Sequence, residues 1–333
     1  MSDTKTNTVF YGDSRNMKNI ADGSVHLVIT SPPYFNIKDY SKDGYQENSH
    51  SVKNANQIGD IDDYERYLNE MLMVWKECER VLRPNGKLVI NTPLMPMLKK
   101  DMDTHFNRHI FDLNSDIQQK ILKETGLFLM DTYLWNRTNS TKKLMFGSYP
   151  HPRNFYAQNT TEFITVYVKD GQSEKASPEN KAKSKLTKEE WVEYTKQIWN
   201  LPSPNRGDIA FGVHSAIMPE EIPRRLIKLY SFYDDVILDP FTGSGTTLKV
   251  AKELGRRWIG YEIMGSYEGV IEKKLASVEV ADSTDDANDV VLHAASITDM
   301  SDNLIENEVV IDDDATVDCD EAAVEAILEQ EEV

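Results

Sequence analysis

One stretch decides the fold: residues 236–247, which read VILDPFTGSGTT. An apolar run that ends in an acid and turns through two glycines is typical of a strand, a tight loop and a helix that begins at the loop. The spacing predicts that Gly255 closes this helix and that a second strand ends in Glu262. Glu262 stands 17 residues after Gly245, close to the roughly 20 expected when an acid at the second strand tip binds ribose hydroxyls.

Three kinds of ligand use a loop of this type. Nucleoside triphosphates require a lysine before the Ser or Thr, and Gly245-Thr246-Thr247 has none. Dinucleotides require three glycines at a spacing that this loop lacks. The pattern Asp-x-Phe-x-Gly-x-Gly resembles the loop by which methyltransferases hold S-adenosylmethionine. This resemblance implies that Asp239 meets the cationic methionine end and Glu262 the ribose. The other implied cofactor contacts are Pro240, Phe241, Gly243, Ser244, Gly245 and Thr246.

A second stretch, residues 30–34 (TSPPY), stops the apolar run VHLVI. Two prolines after such a run predict a buried strand that ends in a stiff, extended loop. The Pro32 carbonyl is left as an acceptor in a preset direction, between the Ser31 hydroxyl and Pro33, and Tyr34 supplies a flat ring. The Ser31 and Pro32 oxygens can accept hydrogen bonds from an amine, and the Tyr34 ring can stack on a planar group. A nucleobase with an amine is the obvious candidate. Taken alone, the tetrapeptide also fits an ordinary turn.

The rest of the chain alternates strand and helix patterns. Apolar residues at three- and four-residue steps predict a helix from Asp60, its expected N-cap, to Leu82, with Cys78 as a core thiol on its apolar face. This alternation predicts an α/β fold with a parallel sheet and right-handed crossovers. Further strands are expected at 9–11, 87–91, 127–135 and 163–169, and further helices at 117–124 and from the capping box at Thr187 through Trp199.

Basic and aromatic residues interleave between positions 137 and 213. The basic ones include Arg137, Lys142, Lys143 and Arg153. The pattern fits either a solvated surface with a small aromatic cluster or a module that lies on a nucleic-acid backbone.

The formal charge of −18 is unevenly distributed. No Lys or Arg follows Lys274, and residues 279–333 hold 19 of the 55 acids. Residues 1–278 therefore carry a net charge of +1, which does not exclude a nucleic-acid partner. The acidic tail is expected to be solvated and mostly disordered, and a sharper hypothesis is that it competes with nucleic acid for a basic groove.

Cysteine usage and hydropathy indicate where the protein acts. Cys78 and Cys319 form neither a disulfide framework nor a metal-ligand cluster, and no stretch has membrane-spanning length. The N-terminus has no signal-peptide pattern, so we expect a cytoplasmic protein without a metal.

The Ser-Pro-Pro-Tyr corner followed by the glycine-containing loop resembles the beta class of amino-methylating DNA methyltransferases, over roughly residues 8–278. The resemblance implies a Rossmann-like class I S-adenosylmethionine-dependent fold: a mostly parallel, seven-stranded sheet with helices on both faces and a smaller target-recognition insertion. It also places Asp13 near the adenine of the cofactor and His214 in a segment on its methionine end. The implied divisions are a catalytic half (1–137), a target-recognition region (138–213), a cofactor half (214–278) and the acidic tail (279–333).

In this class the substrate is an exocyclic amine, which is a poor nucleophile because its lone pair is delocalised into the ring. Hydrogen bonds accepted by Ser31 Oγ and the Pro32 carbonyl would return that pair to nitrogen. Tyr34 is the expected stacking residue for the flipped base, and Phe35 could share that role. Methylation at cytosine C5 is excluded because no cysteine follows a proline.

The target base and the partners stay open at this point. Serine at the first motif position favours N4 of cytosine, and N6 of adenine is the alternative. We expect double-stranded DNA as substrate, bound in part by Arg137, Lys142, Lys143 and Arg153. A cognate restriction endonuclease and a monomer or homodimer are both compatible with the sequence. A catalytically inactive homologue and an enzyme for RNA or small molecules are the rival classes.

Overall fold

An eight-stranded sheet forms the centre of the protein. The computed structural model describes residues 4–35, 57–98, 108–139, 151, 153, 157, 159–204, 207–211 and 217–278, all within one compact unit of residues 1–282. Within these ranges the strands are β1 (Thr8–Tyr11), β2 (Val25–Thr30), β3 (Leu82–Pro93), β4 (Met95–Leu98), β5 (Arg108–Phe111), β6 (Leu127–Arg137), β7 (Thr161–Lys169), β8 (Ile198–Leu201), β9 (Val236–Asp239) and β10 (Arg257–Glu262). The α-helices are α1 (Tyr64–Val81), α2 (Leu113–Glu124), α3 (Pro178–Lys183), α4 (Lys188–Tyr194), α5 (Glu221–Tyr230), α6 (Thr246–Glu253) and α7 (Glu268–Ala276).

The strand order places a topological switch point in the middle of the sheet. The order is β1-β10-β9-β2-β3-β7-β6-β8, and β4 pairs separately with β5. The first five strands are parallel, β7 is antiparallel to β3 and β6, and β8 is parallel to β6. The chain leaves β9 through α6 toward β10 and leaves β2 through α1 toward β3, on opposite sides. The crevice between the carboxyl ends of β9 and β2 is therefore where such a sheet binds its ligand.

Both faces of the sheet carry a core. Val28 of β2 packs in a cluster with α1 and α2, whereas its neighbour Leu27 packs in a cluster with α5 and α6. Leu238 and Ile237 of β9 divide in the same way. Burial on both faces explains why these strands read as continuous apolar runs, and the mostly parallel α/β fold is confirmed.

Helix α1 begins later than the sequence predicts. Asp63 is the N-cap, and its side chain accepts a hydrogen bond from the Arg66 N–H. Asp60 instead ends a single 3₁₀ turn, so its backbone belongs to a different element. Cys78 is fully buried on the apolar face of α1, and burial raises the pKa of its thiol far above the usual range. Its prediction as a core residue is confirmed.

The segment after the capping box folds differently from the prediction. The capping box between Thr187 and Glu190 is confirmed, but α4 ends at Tyr194 and Trp199 lies in β8. The Trp199 ring is fully buried and stacks on Tyr133, with centroids 4.7 Å apart. Packing against β6 thus overrides the local helix signal, and β8 makes the sheet eight-stranded where seven strands were expected.

Part of the predicted target-recognition region belongs to the main sheet. Strands β7 and β8 lie inside residues 138–213, and β7 stands between β3 and β6 in the main sheet. The acidic tail, residues 279–333, lies outside the described residues. Among the helices that the structure describes, none is both long and apolar enough to cross a membrane.

Candidate active site

A cleft at the carboxyl edge of the sheet brings the two predicted stretches together. Its walls include residues 31–34 after β2 and residues 239–244 after β9. Asp13 and Glu262, at the tips of β1 and β10, also line it. The cleft has a volume of about 890 Å³, its open mouth included. Two reactants can therefore meet in one cavity, as the sequence predicts.

The loop of residues 239–245, here called the glycine loop, depends on two glycines. Gly243 has a φ of 51° and Gly245 a φ of 85°, both in the left-handed region that other residues adopt only with strain. Gly245 is the N-cap of α6, and no side chain caps this helix. The first N–H groups of α6 and their partial positive charge therefore face the cleft, which Thr246 and Thr247 line.

Asp239 joins the glycine loop to the neighbouring strand. It is 4% exposed, and its carboxylate accepts hydrogen bonds from the Thr30 hydroxyl at 2.8 Å and the Phe241 N–H at 3.0 Å. Burial raises the pKa of Asp239 to about 6, although these hydrogen bonds and one from Thr247 act against the rise. The bond from Thr30 crosses the switch point, so Asp239 ties the glycine loop to the strand that carries Ser31.

Glu262 holds the glycine loop from β10. One carboxylate oxygen accepts from the Gly243 N–H and the other from the Met264 N–H, both at 2.8 Å. Burial raises the pKa of Glu262 to about 7, against the effect of these hydrogen bonds, and the charge of Asp239 adds to the rise. The Ile263 N–H also donates to this carboxylate. A carboxylate has about four acceptor sites, so Glu262 can still accept a hydrogen bond from a ligand hydroxyl.

Asp13 is the third acid of the cleft, and it is paired. Arg15 donates to it through its backbone N–H at 2.9 Å and through its guanidinium, which also pairs with Glu70. Burial acts to raise the pKa of Asp13, but the hydrogen bonds from Arg15 lower it. Asp13 therefore remains an ionised acceptor at neutral pH.

The Ser31 hydroxyl has two hydrogen-bonding neighbours. Its hydroxyl donates to the Asn91 carbonyl, with an O–O distance of 3.4 Å, and lies 2.7 Å from the Tyr34 hydroxyl. Either hydroxyl can donate in the pair with Tyr34. When Tyr34 donates, the Ser31 proton is left for the Asn91 carbonyl and Ser31 Oγ acts as an acceptor. The Tyr34 ring is 8% exposed and lines the cleft.

The two proline carbonyls of the corner differ in their surroundings. The Pro33 carbonyl accepts a hydrogen bond from the hydroxyl of the buried Tyr67 at 2.9 Å. Within the described ranges, the Pro32 carbonyl has no hydrogen-bond partner. Tyr67 therefore anchors the corner and leaves the Pro32 carbonyl available at the cleft.

Phe35 lies in the core, not on the cleft wall. It is 4% exposed, and its ring packs against Tyr64, Tyr67 and Phe111 with centroid distances of 5.1 to 6.2 Å. The expectation that Phe35 shares the stacking role of Tyr34 is therefore corrected, because its apolar surface is already covered by these rings.

Arg137, predicted to contact DNA, is engaged within the protein. Its guanidinium pairs with Glu162 at 3.5 Å and donates to the backbone carbonyls of Asn159 and Thr160. Glu162 also accepts a hydrogen bond from the Asn91 side chain at 2.7 Å. These contacts place Arg137 at the β6–β7 junction, and its predicted contact with DNA stays a prediction.

Of the four remaining predicted contact residues, the structure describes one, Arg153. Arg153 is exposed and has a φ of 86°. Lys142, Lys143 and His214 lie outside the described residues, so their predicted roles stay predictions.

Three buried polar residues near the site escaped the sequence analysis: Tyr67, Asn91 and Lys274. Each interrupts an apolar pattern. Tyr67 and Lys274 occupy apolar faces of α1 and α7, and Asn91 follows the apolar residues 88–90 in the buried part of β3. A polar residue at a position that the period assigns to the core is the signal that could have found them.

A cleft at the switch point of a mostly parallel sheet, with a glycine loop between two buried acids, defines the class of S-adenosylmethionine-dependent methyltransferases. The model of the N6/N4 methyltransferase family, described as DNA methylase, matches residues 25–273. The chain therefore belongs to this family of DNA methyltransferases, and its cofactor is S-adenosylmethionine.

Individual relatives agree with this assignment. The type II methyltransferase M.MjaI of Methanocaldococcus jannaschii is 33% identical over 287 residues, which cover 82% of this chain and 92% of that protein. The crystal structure of TTHA0409 from Thermus thermophilus with S-adenosyl-L-methionine is 30% identical, covers 80% of this chain and 92% of its own, and has a TM-score of 0.62. PvuII DNA methyltransferase (cytosine-N4-specific) is 17% identical over 84% of this chain and 89% of its own, with a TM-score of 0.59, and shares the fold.

Proposed function

We propose that this protein transfers the methyl group of S-adenosylmethionine to the N4 amine of a cytosine flipped out of duplex DNA. One observation carries the proposal: the two acceptors of the corner, Ser31 Oγ and the Pro32 carbonyl, line the same cleft as the glycine loop. An amine held by the corner and a methyl donor held by the loop are therefore neighbours.

The residues of the cleft fit this cofactor. Glu262 can still accept a hydrogen bond from a ribose hydroxyl, and Asp239 places a buried negative charge behind the glycine loop. Asp13 lines the cleft as an ionised acceptor, assigned by the family pattern to the adenine side. When bound, S-adenosylmethionine supplies an electrophilic methyl group on a sulfonium.

The corner activates the amine by hydrogen bonding. Ser31 Oγ accepts from one N–H, and its own proton can then be donated to the Asn91 carbonyl. The Pro32 carbonyl accepts from the other N–H. Two such bonds out of the ring plane localise the lone pair on nitrogen, which must then approach the methyl carbon to about 3–3.5 Å.

Tyr34 responds to entry of the base. Its hydroxyl lies 2.7 Å from Ser31 Oγ, in the position that the amine needs. Entry of the base replaces this hydrogen bond by one from the amine and releases the Tyr34 ring for stacking. Stacking contributes about 1–3 kcal/mol per base in single-strand binders, which offsets part of the few kcal/mol needed to unstack the base.

The choice of base rests on Ser31. Members of this family with serine at the first motif position methylate cytosine N4 more often, whereas aspartate accompanies adenine N6, which is the alternative here. We assign contact with duplex DNA to Arg153, Lys142 and Lys143. M.MjaI is named a type II methyltransferase, and by that likeness we propose a cognate endonuclease as a partner and a cytoplasmic site of action.

The test measures the base directly. Purified protein is incubated with duplex DNA and tritiated S-adenosylmethionine, and the DNA is digested to nucleosides for mass spectrometry. The expected product is N4-methyldeoxycytidine, and long-read sequencing of DNA from expressing cells identifies the recognition sequence. N6-methyldeoxyadenosine would replace the base assignment. Label in RNA with none in duplex DNA would overturn the proposal.

A further inference from the structure

Lys274 is a buried cation behind the glycine loop. It lies on α7, is 1% exposed, and its Nζ donates to the Thr246 hydroxyl at 2.8 Å and the Ser244 hydroxyl at 3.2 Å. It also forms an ion pair with Asp208 at 3.2 Å. These three contacts use all three N–H groups of the ammonium. Both hydroxyl partners line the cofactor cleft.

Stability alone does not account for this arrangement. Burial lowers the pKa of Lys274, and the carboxylate of Asp208 acts against that shift. A buried ion pair is often no more stable than apolar residues of the same volume, because both charges lose their hydration. The role of Lys274 therefore depends on the groups to which it donates hydrogen bonds.

Lys274 determines where two hydroxyl protons point. An ammonium only donates, so the oxygens of Ser244 and Thr246 act as acceptors toward it. These two oxygens lie 3.4 Å apart, and within the described ranges neither hydroxyl donates to any other acceptor. At most one proton can serve the bond between them, so at least one has no acceptor among the described residues and is available to a ligand in the cleft that both residues line.

We infer that Lys274 sets Ser244 and Thr246 as hydrogen-bond donors to the carboxylate at the methionine end of S-adenosylmethionine. The uncapped N-terminus of α6 points to the same chemistry, because its free N–H groups also favour an anion. Lys274 is thus a positioning residue that acts through the two hydroxyls. This inference rests on the proposed assignment of the cleft as the cofactor site and adds to it a residue outside the glycine loop.

Two ligands that differ only in the carboxylate test the inference. Calorimetry compares S-adenosylmethionine with its decarboxylated form, S-adenosylmethioninamine, and the wild-type protein is expected to prefer the former. Lys274→Met keeps the chain length without charge or donors, and is expected to reduce this preference about tenfold or more, as for hydrogen bonds to a charged group. Lys273→Met, at the exposed neighbouring position, is the matched control and keeps the preference.

Each result has a defined meaning. An unchanged preference in Lys274→Met overturns the inference. Equal weakening of the binding of both ligands also overturns it, because that result marks a merely structural role.

If Lys274→Met does not fold, as measured by circular dichroism, Ser244→Ala and Thr246→Val replace it. At least one of them is expected to reduce the preference while the lysine is present, and the inference fails if neither does. Wild-type protein that binds neither ligand would overturn the assignment of the cleft, and this inference with it. Methyl transfer to DNA does not enter the test, so failure of the proposed activity is seen separately.

Discussion

Binding of S-adenosylhomocysteine, the demethylated cofactor, is expected to weaken as the pH falls from 8 to 6, because Glu262 takes up a proton. Burial raises the pKa of Glu262 from its usual 4.5 to about 7, which corresponds to about 3 kcal/mol against ionisation. At that pKa about nine in ten Glu262 side chains are ionised at pH 8 and about one in ten at pH 6. Ribose hydroxyls require the ionised acceptor, so the affinity is expected to fall about tenfold.

Loss of stability does not explain the weaker binding at low pH, because protonation of the buried acids stabilises the folded protein. A carboxyl whose pKa is raised in the folded state binds protons more readily when folded than when unfolded. Ionisation of Glu262 therefore lowers the free energy of unfolding as the pH rises from about 4.5 to about 7. Asp239, whose pKa burial raises to about 6, acts in the same direction. Through both groups the folded protein gains stability as the pH falls across this window.

Calorimetry at pH 8, 7 and 6, in buffers of different ionisation enthalpy, measures the affinity and the protons released together. Nearly one proton is expected to be released on binding at pH 6 and almost none at pH 8. Glu262→Gln is expected to lose most of the pH slope, and Glu268→Gln, exposed at the start of α7, is expected to retain it. Equal wild-type affinities at pH 6 and pH 8, or an unchanged slope in Glu262→Gln, would refute the reasoning.

Three further substitutions test other parts of the site. Ser31→Ala is expected to lower kcat about a hundredfold or more, as for loss of one preorganised polar group, and to leave the affinity for S-adenosylhomocysteine unchanged. Ser173→Ala, at an exposed position, is the control. A kcat of Ser31→Ala equal to that of the wild type would contradict the prediction. Tyr67→Phe removes the hydrogen bond to the corner and is expected to lower the free energy of unfolding by about 1 kcal/mol in urea and to reduce kcat, whereas an unchanged kcat would separate Tyr67 from the corner. Gly260→Ala places a Cβ 2.5 Å from Thr242 Oγ1 and is expected to cost about 1–3 kcal/mol and weaken cofactor binding; a melting temperature equal to wild type argues against this close contact.

Much of the site was predictable because it is built from short contiguous motifs. Proline fixes its own φ, and glycine adopts the φ values of 51° and 85° at Gly243 and Gly245 without strain. These local effects determine the shape of the corner and of the glycine loop before any packing occurs. The parallel α/β class followed from the alternation of apolar strands with amphipathic helices.

Exposure and pairing were not predictable in the same way. Phe35 and Arg137 resemble other aromatic and basic residues in sequence, and only their neighbours in space show that one is in the core and the other is paired with Glu162. Trp199 carries a helix signal from the preceding capping box, yet it lies in β8 because β6 offers a partner strand. Such outcomes depend on residues distant in the chain.

By itself the sequence determined the α/β class, the conformations of the two motifs and the kind of ligand each can hold, because backbone sterics and hydrogen-bonding capacity are local properties. The tertiary structure alone decided that the motifs face one cleft: Thr30 and Asp239, 209 positions apart, are joined by a 2.8 Å hydrogen bond. It also decided that Lys274 lies behind the glycine loop. The order of strands in a sheet and the burial that follows from it arise from long-range packing, which no single segment encodes.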